Sequence, residues 1–184
     1  MKKLWTITIF LGIVLISCGV APDQRELSAP ESTIIYTDLE NTDSLLSAGP
    51  VSWVNGNTIV SDRAHSGTQS SRVDQENEFS IAFQQKLGYI SQKMPKNLDI
   101  TAWIYSEEKS PAGRMVVSIN KVNYYESYPV GDFFAAGGEW RQFSGSFILP
   151  DSLNSSEEIK IYLWNNRKSR LWIDDISLKF TPEK

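Results

Sequence analysis

The chain of 184 residues has one cysteine and one histidine. A single cysteine excludes an intrachain disulfide framework and any cysteine-based zinc cluster. A single histidine excludes a metal site built from several imidazoles. Eighteen Lys and Arg stand against 22 Asp and Glu, a formal net charge of −4, so the basic footprint of a nucleic-acid binder is missing. The apolar run at residues 4–16 would span only about 20 Å as a helix, short of the ~30 Å hydrocarbon core. There is no Walker loop, dinucleotide fingerprint or Gly-x-Ser-x-Gly elbow. What the chain has is large apolar side chains: 41% hydrophobic residues, with six Trp, seven Tyr and eight Phe. That is ample for a packed core, and the length suits one domain plus an appendage.

The N-terminus reads as an address. Lys2 and Lys3 precede the apolar run, the layout of a secretory signal peptide. Leu15-Ile16-Ser17-Cys18-Gly19 resembles a bacterial lipobox. The resemblance implies cleavage after residue 17 and lipidation of Cys18. More than one acyl chain is needed for stable anchoring, at ~0.8 kcal/mol per buried methylene. Loss of the leader would take the formal charge to −6. Residues 18–32, with Pro22 and Pro30 and no periodicity, read as a tether between membrane and domain. The expected place is the bacterial cell envelope, lipid-anchored. The start Cys18-Gly19-Val20 lacks Asp at its second position, which favours the outer membrane.

Residues 33–181 read as all-β. Short β-rich runs at 33–39, 57–61, 68–73, 78–85, 98–106, 114–121, 124–130, 139–149, 158–165 and 170–180 are separated by turn residues. The stretch 84–96 is weakest as a strand and has room for a helical turn. This count and spacing predict a two-sheet antiparallel β-sandwich, or jelly roll. Alternation places Ile159, Ile161 and Leu163 in the core, and Lys160, Tyr162 and Trp164 on a partly wet face. It places Leu98, Ile100, Ala102 and Ile104 inside, with Asp99, Thr101, Trp103 and Tyr105 opposite. Phe143, Phe147 and Leu149 are expected in the core, with Gly145 leaving room between them.

Three segments resemble a carbohydrate-binding module of the cellulose- and xylan-binding type, within the galactose-binding-like jelly-roll superfamily. They are Asp38-Leu39-Glu40, the turn-into-strand segment from Ala64 to Val73, and Leu171-Trp172-Ile173-Asp174-Asp175-Ile176-Ser177-Leu178. Residues 98–104 and 140–149 fit the family's internal strands. The resemblance implies a structural calcium held by the Glu40 and Asp174 carboxylates, the Asp38 carbonyl and the carbonyls of Ser66 and Gln69. Calcium takes six to eight hard oxygens, and such a mixed set suits it. The chain departs from the family at Asp38, where Gly is common.

Sugar recognition uses aromatic faces with polar groups around them, because a pyranose has an apolar face and a polar rim. Asn123-Tyr124-Tyr125-Glu126-Ser127-Tyr128 and Tyr162-x-Trp164-Asn165-Asn166-Arg167 have that composition. By the resemblance, the ligand aromatics are Tyr124, Tyr125, Tyr162 and Trp164. Phe79 is a weaker candidate, since it shares parity with Ile81 and Phe83 and so belongs in the core. Trp103 and Trp140 are structural in the family. Trp53, in an early loop beside Asn55-Gly56-Asn57, is a candidate for a rim site. Catalysis is not expected. A glycosidase needs two positioned carboxylates, and nothing pairs acids such as Glu126 and Asp132. His65 sits in a Ser-Gly turn and reads as solvated. Two functions follow: non-catalytic binding of a poly- or oligosaccharide by an anchored lipoprotein, beside glycan-degrading enzymes or envelope proteins; or a structural, protein-interaction jelly roll in an envelope assembly or adhesin, with no sugar site.

Overall fold

The computed structural model describes residues 32–47, 52–166 and 169–183. The leader, Cys18 and nearly all of the expected tether lie outside the described residues. Within them the order is β1 (Thr33–Thr37), α1 (Thr42–Leu45), β2 (Trp53–Val54), β3 (Ile59–Val60), β4 (Ser70–Val73), β5 (Phe79–Lys86), α2 (Leu87–Ile90), β6 (Pro95–Ser106), β7 (Arg114–Ile119), β8 (Tyr124–Pro129), β9 (Glu139–Ile148), β10 (Glu158–Trp164) and β11 (Leu171–Pro182). Strand pairing is antiparallel throughout. One sheet runs β3-β4-β11-β6-β9, with β1 also on β11; the other runs β2-β5-β10-β7-β8. The all-β sandwich read from the sequence is the fold observed. The helical turn falls at α2, inside the weakest stretch.

The core lies between the sheets and follows the alternation. Leu98, Ile100, Ala102 and Ile104 of β6 meet Ile159, Ile161 and Leu163 of β10 in one buried cluster. Phe143, Phe147 and Leu149 join it, and Gly145 leaves the space they need: a Cβ there would lie 2.7 Å from the Phe143 ring. Trp53 corrects its expected place. It is 4% exposed, opposite Phe83 on β5 with the rings edge-on at 5.5 Å, because β2 is a strand and not a rim loop.

Two bulges break the alternation. In β11 the register against β6 shifts between Asp174 and Ser177, and Asp175 takes φ 47°. Core residues therefore change parity, from Leu171 and Ile173 to Ile176, Leu178 and Phe180. In β5 the register against β10 shifts so that Tyr162 faces Ala82 but Trp164 faces Phe79. The extra residue sits at Ser80, whose hydroxyl accepts the Leu163 N–H at 3.0 Å in place of a ladder carbonyl.

The open side of the sandwich, between β8 and β9, is closed by phenols. The Tyr124 hydroxyl lies 3.1 Å from the Ile148 carbonyl and that of Tyr128 3.1 Å from the Ser146 carbonyl. The Glu126 carboxylate sits between them, 2.6 Å from Tyr124 and 3.3 Å from Tyr128. Edge carbonyls of β9 that would otherwise template further strands are thus engaged.

Candidate functional site

The solvent face of the five-stranded sheet is built from residues that alternate away from the core. Across the strands, Ala82, Tyr162, Val116 and Ser127 form one row. Gln84, Lys160, Ser118 and Tyr125 form the next, and Phe79, Trp164, Arg114 and Pro129 the third. Ala82 and Val116 are buried although they face outward, so the aromatic side chains lie across the sheet as a roof. Phe79 and Tyr162 meet edge-on at 5.4 Å. Phe79 remains 41% exposed and Tyr125 57% exposed. Trp164 is half-buried and its indole N–H donates to Glu78 at 3.0 Å. Burial, with Tyr125 nearby, pushes the Tyr162 phenol up, so it stays a neutral donor and acceptor at ordinary pH.

Four of the five predicted ligand residues share this face: Phe79, Tyr125, Tyr162 and Trp164. Phe79 is a correction to its expected core placement, since the Ser80 bulge adds one residue and turns it outward. Tyr124 does not join them. Adjacent strand residues point to opposite faces, and Tyr124 turns to the β9 edge, where burial and Glu126 raise its phenol pKa strongly.

The polar surround is richer than the sequence suggested. Arg114 donates to the Ser127 hydroxyl at 2.8 Å and its carbonyl at 2.9 Å, which fixes the guanidinium. Beside Phe79 and Glu78 the face runs into a groove of about 260 Å³ lined by Asn55, Asn57, Asn77 and Glu76. Trp53 was expected as a rim residue beside Asn55-Gly56-Asn57; it is the asparagines, and not Trp53, that line this groove. A second groove of about 510 Å³, among Arg72, Asp74, Glu76, Glu107, Glu108 and Arg170, has no aromatic lining among the described residues.

The residues expected to hold calcium gather at the other sheet, but differently. Glu40 Oε1 accepts the Thr68 and Gln69 N–H groups at 2.8 and 2.7 Å, and Oε2 the Thr68 hydroxyl at 2.9 Å. These bonds hold the Glu40 carboxyl below its ordinary range. Asp174 is fully buried; Oδ2 accepts the His65 and Ser66 N–H groups at 2.8 and 3.1 Å, and Oδ1 that of Asp175 at 2.8 Å. Burial nevertheless raises its pKa to about 6. The Asp38 carboxylate caps the Glu40 N–H at 3.2 Å. The 65–69 turn that was expected to offer carbonyls offers amides to both carboxylates. Both carboxylates are thus held by backbone N–H groups, and among the described residues no group of three or more His, Cys, Asp or Glu side chains is placed to hold a metal ion.

His65 is also corrected. It is not a free turn side chain: its ring stacks on Trp103 at 4.0 Å and meets Trp140 edge-on at 5.5 Å. Nδ1 lies 2.5 Å from Asp175 Oδ2. The same carboxylate accepts from Ser66 Oγ at 2.7 Å and Tyr36 at 2.9 Å. Burial alone would raise Asp175; these hydrogen bonds hold it below its usual range. Beside them the Arg63 guanidinium lies 3.8 Å from the Tyr105 ring centre and 4.9 Å from that of Trp172.

No family model matches the chain. No curated protein matches it either. Among solved structures, the chain is similar to the N-terminal CBM22-1–CBM22-2 tandem domain of Xyn10C from Paenibacillus barcinonensis, at 14% identity and a TM-score of 0.52, over 84% of this chain and 46% of that one. It is similar to the CBM22-2 xylan-binding domain of the same Xyn10C at 16% identity and a TM-score of 0.50, over 80% of this chain and 99% of that one. At such identities the likeness shows the fold alone: the body of the chain carries the jelly roll of carbohydrate-binding modules.

Proposed function

We propose that the protein binds a poly- or oligosaccharide without transforming it, on the solvent face of the five-stranded sheet, while a lipid on Cys18 moors it to the bacterial envelope, in the outer membrane. The observation that carries the reading is the aromatic roof. Phe79, Tyr125, Tyr162 and Trp164 lie on one face, Phe79 and Tyr125 exposed and Tyr162 and Trp164 half-buried. Apolar rings left in water are costly unless a partner covers them. The surrounding Gln84, Ser127, Arg114 and asparagine-lined groove supply the hydrogen-bonding rim that a sugar requires. The xylan-binding domain named above has this fold, which adds a precedent for sugar binding by it. Anchoring would raise the local glycan concentration for neighbouring enzymes or envelope proteins.

Affinity electrophoresis through gels containing soluble polysaccharides tests the reading. At least one polymer should retard the protein, and Tyr162→Ala should reduce the retardation at least tenfold, the loss of a central contact of about 1.4 kcal/mol. Mobility unchanged in every polymer would refute it. The lipid is tested separately: Cys18→Ser should release the protein from membranes.

A further inference from the structure

We infer that the glycan taken by this face is acidic, a polysaccharide carrying carboxylates such as a uronate polymer, and that Lys160 is the residue that selects it; the inference rests on the carbohydrate reading above. Lys160 projects from β10 in the middle of the aromatic face, two residues from Tyr162, with Gln84 and Ser118 opposite it on the flanking strands and Tyr125 next along that row. It is half-buried, and no carboxylate lies within ion-pair reach of it among the described residues. Three other partly covered cations of the chain have acidic partners. Arg72 pairs with Asp62 and Asp74, Lys96 with Asp151, and Arg63 with Glu107 and two rings.

The acids nearest on this face are already engaged. Glu158 accepts from Gln84 at 2.9 Å and Glu78 from the Trp164 indole. Arg114, the second cation here, is fixed by Ser127 and likewise has no carboxylate partner among the described residues. In a chain of net charge −4, two unneutralised cations thus flank Tyr162. Lys160 and the Trp164–Arg114 pair are four strand residues apart, about 13 Å, so the cations would meet different sugar units of one chain. Partly desolvating an ammonium without a counter-charge is unfavourable in the free protein. A bound carboxylate removes that cost, whereas a neutral glycan would add to it by covering the lysine further. Binding energy for acidic over neutral chains therefore comes from Lys160, and Tyr162 supplies the stacking common to both.

The test compares matched polymers. Polygalacturonate and alginate, each with its carboxyl-reduced neutral counterpart, are cast in affinity gels beside a panel of neutral polysaccharides. The expected result is retardation by at least one uronate polymer that falls about tenfold or more on carboxyl reduction, falls similarly in Lys160→Gln, and weakens with added salt. Lys179→Gln, on the outer face of the other sheet, makes the same change in net charge and should leave retardation unaltered. Equal retardation by a polymer and its reduced form, or by neutral polymers only, overturns the inference and leaves the carbohydrate reading standing. Uronate retardation that survives both Lys160→Gln and Tyr162→Ala is charge attraction elsewhere and also overturns it. No retardation in any gel overturns both.

Discussion

The two outer faces of this sandwich both carry aromatic side chains, yet they are finished in opposite ways. On the six-stranded sheet, Trp103, Trp140, Tyr105 and Trp172 are capped by their own chain: His65 stacks on one indole, Arg63 lies over two other rings, and Asp62 accepts the Trp172 N–H at 2.9 Å. The cap is held by the Glu40, Asp174 and Asp175 carboxylates. On the five-stranded sheet the rings have no such lid, and neither Lys160 nor Arg114 has a carboxylate partner, among the described residues. Outward aromatics alone therefore do not mark a ligand site. What separates structure from function here is whether the chain has spent its own turns and charges covering them.

This contrast can be broken from either side. The largest effect is expected at Trp172. Trp172→Ala empties a buried site and strands Arg63, and should cost about 3–5 kcal/mol of stability in denaturant titration, with glycan affinity of the folded fraction unchanged. Gly67→Ala comes next. Gly67 has φ 56°, and an added Cβ would lie 2.4 Å from the Glu40 carboxyl carbon, so about 1–3 kcal/mol should be lost without loss of binding. Tyr124→Phe removes a hydroxyl shared with Glu126 and the β9 edge; about 1 kcal/mol of stability should go, again with no change in affinity. If Tyr124→Phe weakened binding, the assignment of that ring to the seam would be wrong.

Acid gives a smaller signature. The Asp174 carboxyl has a folded pKa raised to about 6, so its contribution to stability is complete below the ordinary aspartate value and is lost as pH rises through 6. Glu40, Asp62, Asp74 and Asp175 are depressed and act in reverse: their contribution is present above the usual carboxylate range and is lost as pH falls below it. The melting temperature should therefore rise modestly between pH 7 and 5 and fall below about 4, and Asp174→Asn should flatten the first of these slopes. Chelator should do least. Backbone N–H groups and the Thr68 hydroxyl already hold the Glu40 and Asp174 carboxylates, so the melting temperature in EDTA should equal that in calcium; a drop in EDTA would favour a bound metal.

Much of the sandwich was legible because alternation is a local property. β6, β9 and β10 keep strict parity, and their core residues follow from it. Parity failed at Phe79 and again at Asp175, where a single inserted residue reverses every side chain beyond it. The bulges depend on partners far away in sequence, such as the Ser80 hydroxyl beneath Leu163. Tyr124 is different: it stands next to Tyr125, so the two rings had to face apart, and composition obscured what periodicity shows. Lys160 was visible as a cation on the face of Tyr162 and Trp164, but its lack of a counter-ion among the described residues is a tertiary fact. The cap over Trp103 was likewise out of reach, since it joins His65 to Asp175 across 110 positions.

The central claim is that the uncovered rings are there for a glycan. A glycan array probed with the purified protein and with the double variant Tyr125→Ala/Tyr162→Ala tests it most directly. The account predicts a discrete set of glycans that retain the protein and that the folded double variant leaves unbound. An empty array, or one on which the double variant binds as well as the original, would contradict it.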